Sequence, residues 1–155
     1  MAYSAIQIAN EIIKKGSKQD LFFTQMQLLK LVYIAHGWHL AIKGEPLVDD
    51  EIQAWKYGPV IPNLYQSISR FGASQITEKI LSGDIKLTEE GETILDFVIR
   101  NYGQYSAFKL SEITHAPCTP WSQTFNQGGG WAEKIPNNAI KQHYQDLYKQ
   151  YFKKD

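Results

Sequence analysis

The stretch that decides the fold covers residues 24–65 and reads TQMQLLKLVYIAHGWHLAIKGEPLVDDEIQAWKYGPVIPNLY. It opens with Thr24 and Gln27, which have the spacing of a capping box, a pair of side chains that satisfies free N–H groups at a helix start. The apolar residues that follow recur at helical spacing over most of the circumference, which predicts a central helix to about Ile42. Beyond it, apolar and polar residues alternate over 47–55 and predict a short strand or extended segment.

Caps, helical spacing and helix-breaking residues predict further helices on both sides of the central one. We expect them over residues 5–15, 62–70, 88–102, 106–116 and 140–152, with one more turn at 120–125. A turn signal at 82–84 predicts a small hairpin between Ile76 and Leu87. The predicted fold class is mainly α (α+β): a single domain over residues 1–155, built as a compact bundle of about six helices with a small β-hairpin or short extended strands.

Composition and charge restrict the classes of protein to which this chain can belong. Of its 155 residues, 43% are apolar and 21% are charged, as in folded globular proteins. Its 16 basic residues balance its 16 acidic ones, so the chain has no overall attraction to phosphate backbones and nucleic acid is not an expected partner. No apolar run approaches the roughly 20 residues of a membrane helix, so we expect no membrane partner. The sole cysteine, Cys118, excludes an intramolecular disulfide and suits a reducing cytoplasm.

The residues closest to a metal-binding or reactive set are three histidines and the cysteine. His36 and His39 are three positions apart and share a helix face, and His115 precedes Cys118 by the same spacing. Together they could complete a tetrahedral zinc site, in a metal-stabilised domain or a hydrolase. The set lacks the glutamate that makes the H-E-x-x-H motif specific. We therefore keep zinc as an alternative, assign no metal, cofactor or catalytic residue, and expect Cys118 to be a small buried apolar residue.

Residues 55–65, with the sequence WKYGPVIPNLY, form the most distinctive loop of the chain. Gly58 permits tight backbone geometry, and the neighbouring prolines restrict it. A rigid loop that carries large amphipathic rings suits recognition, because little conformational entropy is lost when it binds. We assign Trp55 to the core, because we place it on the apolar alternation with Ile52 and Ala54. For Lys56 and Tyr57, an exposed contact and a place over the core are equally open.

Several motifs, taken in order, resemble those of a known family. The most specific is AWKYGPV at residues 54–60, which is preceded by LKLVY and AHG within 29–37. A later L-S-x-x-T-H motif at 110–115 is followed by a Pro-Trp pair. This combination resembles the Panacea domain family, which includes SocA-like antitoxins and proteins associated with phages and other mobile elements. The resemblance extends over about residues 5–152.

The resemblance implies a bacterial, cytoplasmic antitoxin of a toxin–antitoxin pair, which binds and neutralises a cognate protein toxin and has no enzymatic activity of its own. The alternative that it leaves open is an adaptor that delivers the toxin to the Clp protease. The signature residues in this chain are Trp55, Gly58, Pro59, Thr114, His115 and Trp121, and we expect both tryptophans in the core. The expected partner contacts are Lys56, Tyr57, Val60, Asn63 and Tyr65.

Overall fold

The computed structural model describes residues 2–80, 83–127 and 132–152, and this part of the chain is mainly helical. Its α-helices are α1 (Ala5–Ser17), α2 (Gln25–Lys43), α3 (Pro62–Ile68), α4 (Glu89–Tyr102), α5 (Ala107–His115), α6 (Pro120–Gln127) and α7 (Asn137–Phe152). A 3-10 turn at Ser69–Phe71 follows α3. Its strands are β1 (Phe23–Thr24), β2 (Gln53–Trp55), β3 (Gly58–Val60), β4 (Gln75–Ile76) and β5 (Glu133–Lys134). The predicted fold class is confirmed, and the single turn expected after Pro120 is a complete helix.

Helix α2 lies at the centre of the fold, as its apolar pattern predicts. Every residue from Leu28 to Trp38 is buried, and the helix packs against α1, α4, α5 and α7. The predicted capping box is formed between Thr24 and Gln27. Gly44 ends the helix at a φ of 79°, where a residue without a Cβ is unstrained. Neither α2 nor any other helix in the described part of the chain is long and apolar enough to cross a membrane.

A glycine allows α7 to approach the central helix closely. A Cβ at Gly37 would lie 2.3 Å from the ring of Tyr144 on α7, which is closer than atoms can pack. The Tyr144 ring also meets the Trp38 ring edge-on, with 5.4 Å between the ring centres. One residue before Gly37, the buried ring of His36 bonds to the side chain of Asn137 at 2.9 Å. Ring packing and this hydrogen bond together fix the position of α7.

The described strands form two small antiparallel sheets. β1 pairs with β4, and β2 lies between β3 and β5. The hairpin of this fold is therefore β2–β3, in which Trp55 pairs with Gly58 across the turn. The hairpin predicted between Ile76 and Leu87 is wrong for the residues that the structure describes, since 77–80 and 83–87 contain no strand and β4 pairs with the distant β1. Residues 81 and 82 of that prediction lie outside the described residues.

Candidate functional site

The AWKYGPV motif forms the β2–β3 hairpin, and the tip of its turn faces solvent. Lys56 and Tyr57 are both exposed, Tyr57 to 65%. The Lys56 Nζ lies 5.4 Å from the centre of the Tyr57 ring. Gly58 closes the turn at a φ of 126°, a conformation that residues with a side chain rarely adopt. The turn therefore presents an ammonium group and a phenol ring on a backbone that depends on glycine.

Three side chains from three helices donate hydrogen bonds to backbone carbonyl oxygens of the hairpin, those of residues 55, 57 and 59. Trp121 of α6 donates from Nε1 to the oxygen of residue 55 at 2.5 Å. Ser111 of α5 donates from Oγ to the oxygen of residue 57 at 2.9 Å. Lys30 of α2 donates from Nζ to the oxygen of residue 59 at 2.9 Å. Hydrogen bonds thus connect the hairpin backbone to helices that are far from it in sequence.

Lys30 is a buried amine that has no acidic partner among the described residues. Its side chain is 1% exposed, and burial lowers its pKa to about 7 because the charged form is poorly solvated. None of the ion pairs formed by the described residues includes it. A Cβ at Gly58 would lie 2.8 Å from its Nζ, so the glycine leaves room for the amine as well as allowing the turn. The hydrogen bond to the Pro59 oxygen is the polar contact that partly offsets the burial of this group.

The L-S-x-x-T-H motif of α5 encloses the hairpin from the other side. The Thr114 Oγ1 would lie 3.6 Å from a Cβ on Gly58, and it donates a hydrogen bond to the Leu110 oxygen at 3.0 Å. The His115 ring packs edge-on against the Trp121 ring at 5.4 Å. Motifs from three separate parts of the sequence therefore meet at one hairpin. The backbone of this hairpin is hydrogen-bonded to helices, and its tip faces solvent.

The part of the chain that carries these motifs matches a known family. Residues 28–122 match the family described as Antitoxin SocA-like, Panacea domain. The chain belongs to this family. It is 30% identical to Antitoxin SocA from Caulobacter vibrioides (strain NA1000 / CB15N) in an alignment of 150 residues, which covers 88% of this chain and 80% of the relative. No solved structure matches the chain. Membership of the family supports an antitoxin role and favours a non-catalytic one.

The expected partner contacts of this Panacea domain are not equally accessible. Lys56, Tyr57 and Asn63 are exposed, and Tyr65 is 37% exposed. Val60 is 8% exposed within β3, so its side chain offers little area to a partner. We define the recognition surface as the accessible members of the set, Lys56, Tyr57, Asn63 and Tyr65.

The assignment of Trp55 to the core is wrong, because its side chain is only partly buried. Successive side chains of a strand point to opposite faces. Ile52 and Ala54 therefore face the core together, and Trp55 lies on the other face, with 5.3 Å between the centres of its ring and the Tyr65 ring. Trp121, which was also predicted in the core, is likewise only partly buried and packs against the edge of the core. In the Panacea domain, Trp55 is thus part of the hairpin, and Trp121 bonds to the Trp55 oxygen from α6.

Sequence reasoning missed Phe108, which is 79% exposed and is the most exposed large apolar side chain among the described residues. It precedes Ser111 by three positions on α5, so the two share a helix face. Since Ser111 bonds to the Tyr57 oxygen, this face continues the surface of the hairpin turn. The sequence contained a signal for this exposure, because Phe108 lies outside the helix face on which Leu110 packs into the core.

The structure of the Panacea domain does not assemble the alternative zinc set. His36 is fully buried, and both of its ring nitrogens already bond to neighbouring groups. His39 bonds through Nδ1 to the Glu45 oxygen at 2.6 Å, whereas His115 lies at the hairpin. Cys118 is exposed at a φ of 66°, so its expected burial is wrong. Within 2–80, 83–127 and 132–152, no group of three or more His, Cys, Asp or Glu residues is placed to hold a metal ion.

Proposed function

We propose that this chain is a cytoplasmic antitoxin that neutralises a cognate protein toxin by binding it through the recognition surface, extended by Phe108. The observation that carries the proposal is the 65% exposure of Tyr57 on a turn whose backbone is bonded to three helices. A side chain on a rigid turn loses little entropy when it binds. Tyrosine combines a large apolar area with a hydroxyl group, and it is frequent among the residues that dominate binding energy.

The chemistry of the surface indicates what a toxin must present. The rings of Tyr57, Tyr65 and Phe108 require an apolar pocket or groove, and the ammonium group of Lys56 favours an acidic residue at its border. A stable inhibitory complex buries on the order of 1,600 Å² in total. These side chains would form the centre of such an interface, with the surrounding surface of the hairpin and α5 as its rim.

The fate of the bound toxin separates two forms of this function. A stable inhibitory complex stores the toxin in an inactive state, whereas an adaptor passes it to a protease such as Clp. Both forms begin with the same binding step, so the recognition surface serves either one. They differ in the amount of toxin that remains in the cell.

The proposal is tested by a growth assay with the reading frame next to this gene in its own genome. We expect that inducing this frame alone arrests growth of a host and that co-expression of the Panacea domain relieves the arrest. Recovery of both chains in one purified complex would then identify stable inhibition. Toxin that disappears only in a host with Clp protease would identify delivery for degradation. Arrest that persists despite expression of the folded domain, or a neighbouring frame that is not toxic, contradicts the proposal.

A further inference from the structure

We infer that Lys30, Ser111 and Trp121 are positioning residues, which hold the hairpin turn in its binding conformation before the toxin arrives. The inference rests on the proposed function and adds to it the side chains that act through the backbone of the turn. Each of them donates to a different carbonyl oxygen of the hairpin, at 2.9, 2.9 and 2.5 Å respectively.

The sheet alone gives the turn little support. β2 and β3 contain three residues each, and a hairpin of this size is at best marginally stable by itself in water. Pro59 has no N–H group, so it cannot contribute a donor to the β2–β3 ladder. Within the part of the chain that the structure describes, β5 pairs with Gln53 and Ala54, the two residues of β2 farther from the turn. The residues nearest the tip therefore depend on contacts from outside the sheet.

The side chains at the tip do not supply these contacts, because Lys56 and Tyr57 are exposed. The bonds from the three helices reach the backbone before, within and after the turn, at residues 55, 57 and 59. Since they bind backbone oxygens, they leave the tip side chains free for a partner. When a binding-competent conformation is only partly populated, the apparent dissociation constant rises by the inverse of that fraction. Removing a donor should therefore weaken toxin binding without removing any side chain of the recognition surface.

Two substitutions remove a donor and keep most of the side chain: Ser111→Ala and Trp121→Phe. Each has a matched control elsewhere in the fold. Thr93→Ala removes a hydroxyl that donates to a backbone oxygen of α4 at 3.1 Å. Trp38→Phe removes an indole N–H that donates to another side chain at 3.1 Å in the core. The experiment compares amide hydrogen exchange of the free proteins over residues 53–60, and then their association and dissociation rates with the purified toxic neighbour.

We expect Ser111→Ala and Trp121→Phe to speed exchange over 53–60. Each should also raise the dissociation constant for the toxin by about tenfold, as for a turn that is correctly formed a tenth of the time. Thr93→Ala and Trp38→Phe should keep the parent's hairpin exchange and affinity, even though Trp38→Phe lowers overall stability. This contrast separates a positioning role from a general loss of stability.

The two proposals fail in distinguishable ways. If the parent binds the toxin and Ser111→Ala and Trp121→Phe bind it with the parent's rates, the positioning role is overturned and the proposed function stands. Hairpin exchange that is unchanged in both variants also overturns the positioning role. A folded parent that binds no toxin overturns the proposed function and the positioning role with it.

Discussion

Replacing Lys30 with Met is expected to stabilise the protein at neutral pH and to weaken it as an antitoxin. Burial gives the Lys30 amine a pKa of about 7 in the folded protein, against about 10.4 in an unfolded chain. Each unit of this difference corresponds to about 1.4 kcal/mol, so the buried amine lowers native-state stability by several kcal/mol at pH 7. Met has a similar length and fills the space with apolar atoms, but it leaves the Pro59 oxygen without this donor, which costs about 1–3 kcal/mol. We expect a net gain of about 1–3 kcal/mol in the free energy of unfolding.

The same difference in pKa sets the pH dependence. Above pH 7 the folded protein releases the Lys30 proton, while the unfolded chain keeps it to about pH 10.4. The unfolded state then binds more protons, so parent stability rises with pH. Between pH 7 and 9, urea denaturation should show that the free energy of unfolding of the parent rises relative to that of Lys30→Met. The expected rise is up to about 1.4 kcal/mol per pH unit. Lys86→Met is the control at an exposed lysine, and its stability should change with pH as that of the parent does.

The Lys30→Met variant also separates stability from function. If the bond from Lys30 positions the hairpin, the more stable variant should relieve toxin-induced growth arrest less well than the parent. A variant that is less stable than the parent at every pH between 7 and 9 would show that the hydrogen bond outweighs the burial of the amine. A variant that is more stable and relieves arrest fully would show that the turn does not need this donor.

Mild acid is expected to destabilise the protein through His36. Burial lowers the pKa of this ring to about 4, from about 6.5 in an unfolded chain. Its hydrogen bonds fit one neutral tautomer, since Nε2–H donates to Asn137 Oδ1 at 2.9 Å and Nδ1 accepts from the Val48 N–H at 3.3 Å. A second proton would face that N–H group. The contribution of the neutral His36 ring to the free energy of unfolding is therefore fully present above pH 6.5. It falls by about 3 kcal/mol as the pH is lowered from 6.5 to 4.

The check is urea denaturation at several pH values between 7 and 5, where the parent should lose about 2 kcal/mol through His36. His36→Gln should be less stable at pH 7 and should show a shallower dependence on pH. Burial also lowers the pKa of His143, which acts in the same direction and remains in the variant. Equal slopes for the parent and His36→Gln would contradict the role of this ring.

Local signals in the sequence predicted most of the helical framework. Thr24 and Gln27 are three residues apart, so the cap that they form depends on little else, and the structure contains it. The pairing of β1 with β4 joins residues about 50 positions apart, and nothing local in either strand specifies its partner. The position of Trp55 was predictable in principle, because the pleat of a strand places it opposite Ile52 and Ala54.

The residues behind the hairpin show where sequence reasoning stops. Lys30 stands in an apolar helix, but its burial follows only once α2 is surrounded by other helices. Ser111 and Trp121 belong to motifs that the family resemblance marked, yet their bonds to the hairpin depend on the packing of α5 and α6 against it. The resemblance identified which residues define the family, and the structure shows that several of them hold one turn.

The most direct measurement is the dissociation constant of the purified toxic neighbour for the parent, for Tyr57→Ala and for Tyr151→Ala. The two tyrosines are comparably exposed, at 65% and 60%, but Tyr151 lies near the end of α7 and outside the recognition surface. If the hairpin turn binds the toxin, Tyr57→Ala should weaken binding by at least about tenfold, as expected for a central aromatic contact, and Tyr151→Ala should bind like the parent. Parent-like binding by Tyr57→Ala, with or without a loss in Tyr151→Ala, would contradict binding through the hairpin.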